Sequence, residues 1–197
     1  MSLADASVLQ TRLLLLCRGP VDWARGSDGD PPLTSEGVRD VELAAASLPH
    51  LDVIAASPQR SSQETADAVL PQRPTTVVWH DGLDEIRPSG VAADAGAYGE
   101  WLDRLFMTYG SSESGESLAD GATRLTSALR GIADRYYGRT ALVVSHPVIL
   151  LAFRGTIMHK EVQRDQIDAL PAPALSVLDY VEGRFYLIQD FPTRQPT

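Results

Sequence analysis

Apolar and polar positions alternate along the chain in two rhythms, and each rhythm marks a different element. Arg12 to Cys17 is a short continuous apolar run closed by Gly19-Pro20, the pattern of a buried strand entering a loop. Ser35 to Leu48 places Val38, Val41, Ala45 and Leu48 on one helical face. Leu51 to Ala56 predicts a second strand, stopped by Ser57-Pro58, and Gln59 to Leu70 a second helix. The β-branched run Thr75 to Trp79 predicts a third strand. In Ser117 to Tyr137, Leu118, Ala122, Leu125, Leu129, Ile132 and Tyr136 recur at helical steps, with Ser117 as N-cap. Thr140 to Ser145 predicts a fourth strand, followed by a helix from about Val148. Leu175 to Val181 and Phe185 to Gln189, joined through Glu182-Gly183, predict a terminal hairpin.

Strands that alternate with helices predict an α/β fold: a three-layer αβα sandwich around a mostly parallel central sheet. The expectation is a single domain over residues 1–197. Arg87 to Gly115, rich in Gly, Ser and Ala with a helical middle at Tyr98 to Met107, is expected as an insertion over the pocket end of the sheet. A frayed tail is expected from about Pro192. In such folds ligands sit at the carboxyl ends of the strands. That places Cys17-Arg18-Gly19, Ser57 to Ser62, Glu85 and Ser145-His146 around one site.

Composition narrows the function classes. A hydrophobic share of 44% over 197 residues suits a globular domain with its own core. The net charge of −9 argues against nucleic acid as a partner, since a binder needs excess cations to displace counterions. The apolar runs are too short to span a bilayer, so no membrane partner is expected. Met1 to Gln10 has no signal-peptide pattern, and the lone Cys17 cannot form an internal disulfide; both suit a cytoplasmic protein. His50, His80 and His159 show no ligand spacing with one another or with Cys17, so neither metal nor cofactor is expected. A homodimer is left open, dimers being the commonest assembly of soluble proteins.

Six short motifs, in order from about Arg12 to Phe191, resemble those of the histidine phosphatase superfamily, also called phosphoglycerate mutase-like. An apolar strand ends in Cys17-Arg18-Gly19 where that family has Arg-His-Gly. Leu33-Thr34-Ser35-Glu36-Gly37 matches a Leu-Thr-x-x-Gly turn. Ser57-Pro58 with Thr65-Ala66 echoes Ser-Pro-x-x-Arg followed by Thr-Ala. Leu83-Asp84-Glu85, Gly115-Glu116-Ser117 and Val143-Val144-Ser145-His146 complete the set. The resemblance implies a nucleophilic His at the first strand end. It also implies two Arg and a second His around the phosphoryl oxygens, and a carboxylic acid for the leaving group. The chemistry calls for these residue types, because it needs a lone pair to attack, fixed positive charge around the oxygens, and a proton donor.

On this resemblance Glu85 and His146 are the candidate catalytic residues. Cys17, Arg18, Gly19, Arg60 and Ser61 are the candidate ligand-binding residues. The sequence departs at the nucleophile, where Arg18 stands; a guanidinium stays protonated and has no lone pair to offer. Counting back from Thr65-Ala66 puts Ser61 at the second Arg position, with Arg60 one helical step, about 100°, early. Arg18 then has two readings, an anion site shared with His146 or an ion pair with Glu85. Cys17 also has two, a thiolate nucleophile or a small buried hydrophobe. Trp79 and Trp101 are expected in the core or pocket wall, and Trp23 as a ring available to a ligand. Three functions follow in order: a protein that binds an anionic or phosphorylated small molecule without phosphohistidine turnover; an enzyme using Glu85 and His146 for dehydration, isomerisation or non-covalent hydrolysis; and a regulatory or interaction module.

Overall fold

The computed structural model describes residues 9–26, 29–87, 94–107 and 115–194. Six strands form one sheet in the order β3-β2-β4-β1-β5-β6. They are β1 (Thr11–Cys17), β2 (Val53–Ala56), β3 (Val77–Trp79), β4 (Thr140–Ser145), β5 (Ala174–Val181) and β6 (Arg184–Gln189). The pairs β1–β4, β4–β2 and β2–β3 are parallel, while β5 and β6 add antiparallel strands at one side. The helices are α1 (Ser35–Ala46), α2 (Arg60–Val69), α3 (Ala95–Met107), α4 (Leu118–Arg135), α5 (Pro147–Met158) and α6 (Arg164–Ala169).

The period of two in the strands divides the core. Leu13, Leu15 and Cys17 face one side with Val53, Ala55, Ala141 and Val143, under α3, α4 and α5. Leu14 and Leu16 face the other with Ile54, Ala56, Leu142 and Val144, under α1 and α2. Leu13 to Leu16 are all buried, which is why a run without polar alternation folds as a central strand. Thr34 caps α1, its hydroxyl accepting from the Gly37 amide at 2.8 Å. Ser117 caps α4 in the same way, accepting from the Asp120 amide at 3.0 Å. The β5–β6 turn holds Glu182 and Gly183 at φ 49° and 80°, the left-handed pair that a two-residue hairpin requires.

Several expectations change. The third strand is only Val77–Trp79, a short edge, and Trp79 is 49% exposed rather than core. The six-residue α6 is not predicted by the sequence pattern. Phe191 is buried and the Arg194 amide donates to the Ala169 carbonyl at 2.8 Å, while residues 195–197 of the expected frayed tail lie outside the described residues. Of the expected insertion, residues 88–93 and 108–114 lie outside the described residues, and α3 is the part described.

The topology fixes the site. After β1 the chain passes to α1 on one face; after the neighbouring β4 it passes to α5 on the other. The carboxyl ends of these strands open where the two connections part. There the Arg18 amide donates to the Ser145 carbonyl at 2.9 Å, fixing Arg18 beside His146.

Candidate active site

Glu85 is the best-held side chain of the site. Its Oε1 accepts from the Ile86 and Ile149 amides at 2.9 Å each, and its Oε2 from the Val148 amide at 3.1 Å. Val148 and Ile149 open α5, so the carboxylate sits on the positive end of that helix. Burial pushes the Glu85 pKa up, against the opposing pull of these amides and of Arg18.

His146 is the N-cap residue of α5 and only 3% exposed, and its Nε2 has no hydrogen-bond partner among the described residues. Burial, then the positive charges of Arg18 and Arg124, hold its pKa well below the usual value of 6.5. The ring is therefore neutral in the folded protein. The unfolded chain takes up a proton near pH 6.5 that the folded chain refuses, so stability is lost as pH falls below 6.5. Glu85 acts oppositely: its raised pKa favours folding at low pH, and that gain is lost as pH rises through the folded value. His146→Gln is expected to remove the first effect alone. Chemical denaturation between about pH 7.5 and 5.5 reads it as a slope differing from wild type by up to about 1.4 kcal/mol per pH unit. Equal slopes would show that His146 titrates alike in both states.

Arg18 is half-buried, and its Nη1 donates to the Gly19 carbonyl at 2.9 Å. Among the described residues it makes no ion pair, with Glu85 or any other carboxylate. Its charge is felt by Cys17, Glu85, Tyr98 and His146 together, which places these five groups in one cluster. Cys17 lies in the core, where burial pushes its thiol up to about 12, more than Arg18 lowers it. The side chain is a thiol at neutral pH and packs as a small hydrophobe, so the thiolate reading is not supported.

The other candidates sit apart from this cluster or serve the backbone. Arg60 is 47% exposed and donates to Glu64 at 3.0 Å, while its amide donates to Asp30 at 2.9 Å. Its guanidinium is turned to the surface of α2 and contributes no charge to Glu85 or His146. Ser61 is buried, and its carbonyl accepts from the Thr65 hydroxyl at 2.7 Å. Gly19 lets the loop pass α1, since a Cβ there would meet the Gly37 carbonyl and Val41 at 3.0 Å. Its amide is taken by Thr65 Oγ1 at 3.3 Å.

Two residues that the sequence did not point to complete the site. Tyr98 of α3 reaches Glu85 Oε2 with its hydroxyl at 3.5 Å, and burial raises its pKa. Its ring lies between Trp23 and Trp101, with centroids 5.0 and 5.3 Å away. Arg124 of α4 binds Glu116 through two bonds of 2.7 and 2.6 Å. It also donates to the carbonyls of Gly82, Asp84 and Glu85 at 3.0–3.1 Å, holding the loop that carries Glu85. A cavity of about 500 Å³ between the start of α4 and the end of α5, lined by Leu118, Ala152, Gly155 and Lys160, contains none of these groups. Among the described residues no cluster of three or more metal-ligating side chains occurs, and no helix is long and apolar enough to cross a membrane.

The arrangement offers one free guanidinium, one buried neutral imidazole and one buried carboxyl. It is thus equipped to hold an anion and to exchange protons, but not to form a phosphohistidine at Arg18.

Comparison with known proteins agrees with this architecture. A family model described as histidine phosphatase superfamily (branch 1) matches residues 13–189. Phosphoserine phosphatase 1 of Hydrogenobacter thermophilus is 28% identical over 171 residues, covering 81% of this chain and 80% of its own. Among solved structures, Bacillus stearothermophilus YhfR superposes with TM-score 0.73 at 21% identity, over 91% of this chain and 96% of its own. A phosphoserine phosphatase variant from Entamoeba histolytica, in complex with phosphoserine, gives 0.71 at 19% identity over 92% and 96%. Phosphoglycerate mutase from Bacillus anthracis gives 0.71 at 14% identity over 92% of each chain.

Proposed function

From the premise that the chain belongs to the histidine phosphatase superfamily, we propose that its site binds an anionic or phosphorylated small molecule without phosphohistidine turnover. The observation that carries the reading is Arg18. It stands at the end of β1, free of any ion pair among the described residues, beside an imidazole whose Nε2 has no partner. An oxyanion placed there meets a guanidinium fork and a buried polar atom together. Curated and structural relatives named for phosphoserine or phosphoglycerate chemistry make a phosphorylated metabolite the natural class to try.

Calorimetric titration of inorganic phosphate at about pH 6, where it is largely singly charged, tests the reading. Binding is expected in the millimolar range or tighter and is expected to weaken at least about tenfold in Arg18→Met. Absence of heat with phosphate and sulfate up to about 10 mM would overturn it.

A second reading has one observation in its favour. Glu85 and His146 are shifted in opposite directions, a buried acid and a buried base in one cluster, the pairing expected of acid–base chemistry. Dehydration, isomerisation or non-covalent ester hydrolysis would use such a pair.

A further inference from the structure

Building on the anion-pocket reading, we infer that the occupant carries a single negative charge, a carboxylate or a phosphodiester rather than a phosphomonoester dianion. Every Lys and Arg of the chain lies within the described residues. Of the arginines near the cluster, Arg124 is bound to Glu116, Arg87 to Asp84 at 3.4 Å, and Arg60 to Glu64. Among the described residues Arg18 is left as the one guanidinium without an ion pair whose charge reaches both Glu85 and His146.

The usual substitutes for a second cation are also occupied. The first free amides of α5, from Val148 and Ile149, already hold the Glu85 carboxyl, and Pro147 has no N–H. The Gly19 amide is taken by Thr65. His146 is neutral. With Glu85 protonated the cluster has a charge of about +1, and with it ionised about zero. A monoanion brings these to about 0 or −1. A dianion leaves an extra uncompensated charge beside buried groups, which the protein interior penalises heavily. The remaining N–H groups of Arg18 match the two oxygens of one carboxylate or one diester. The paired rings of Trp23 and Tyr98 form an aromatic wall next to them, suited to an aryl body.

The test uses the full chain and three probes sharing a phenyl group, titrated calorimetrically at about pH 8. Phenyl phosphate is doubly charged there, while its methyl ester and benzoate are singly charged. At least one monoanion is expected to bind about tenfold or more tightly than phenyl phosphate, and the better of the two identifies the oxyanion. Arg18→Met is expected to abolish the binding, and Arg18→Lys, which keeps the charge, to keep the order of preference. Phenyl phosphate binding as tightly as both monoanions would overturn this inference and leave the anion pocket standing. No binding of any probe at millimolar levels would overturn both. Undiminished binding in a folded Arg18→Met would overturn the assignment of the anion to Arg18 and show that another group holds it.

Discussion

Purified protein is expected to release phosphate from phenyl phosphate no faster than its His146→Ala variant. At the end of β1, where the family resemblance places the nucleophile, neither Arg18 nor Cys17 is a competent one. The Arg18 guanidinium has no lone pair. With its pKa near 12, the Cys17 thiol is ionised to roughly one part in 10⁵ at pH 7. Both Glu85 oxygens accept amide hydrogen bonds, and Ser145 Oγ donates to the Leu83 carbonyl at 2.7 Å. Where a catalytic nucleophile has been removed from a comparable machine, the loss is roughly 10⁶ in rate, or about 8 kcal/mol. Steady-state phosphate release checks the expectation. Turnover that vanishes in His146→Ala would mean that the site performs phosphate chemistry through His146. Glu85→Gln would then test the acid.

Arg124→Met is expected to destabilise the protein by about 3 kcal/mol in urea denaturation at about pH 7, the lower end for breaking a buried pair. The side chains of Arg124 and Glu116 are only 18% and 15% exposed. Burial is the largest single influence and pushes the Glu116 pKa up, but the Arg124 hydrogen bonds, the Arg87 amide and the two guanidinium charges together outweigh it, and the net shift is downward. The pair's contribution is therefore complete above pH 4.5 and lost as pH falls through the lowered folded value. Replacing Arg124 leaves a carboxylate held only by the Arg87 amide at 3.1 Å and strips donors from the Gly82, Asp84 and Glu85 carbonyls. Adding Glu116→Gln to Arg124→Met should recover part of the loss by removing the stranded charge. A change under about 1 kcal/mol would show that the loop is held by its packing instead.

The two cases also show what a sequence can and cannot reveal. Leu13 to Leu16 and the apolar stripe of α4 were legible because burial writes a period into the chain. Arg124 was not. It lies on the same helix as Leu125, and a polar residue that binds a loop reads the same as one that faces water. Tyr98 was visible only as part of a helical segment, since nothing local announces that a ring will lie over a carboxyl from another element. Trp79 misled because β-branched neighbours mark a strand without saying that it is an edge. The short α6, Arg164–Ala169, has too few residues to display a period. Glu85 and His146 were found through motifs. The amides that hold Glu85 come partly from Val148 and Ile149, in a helix far along the chain from it.

The order of the strands has a bearing on how the chain is made. β1 precedes the other five strands in the chain, yet it lies in the middle of the sheet, where Leu14 sits between Leu142 of β4 and Val177 of β5. Its partners on both sides belong to the last third of the polypeptide. Until they emerge, the leucines from Leu13 to Leu16 have no sheet to enter, and the ends that must meet are separated by nearly the whole chain. Such long-range closure slows folding and leaves an apolar segment open to other contacts meanwhile. The position of Arg18 therefore depends on β4 and β5, strands that emerge long after it.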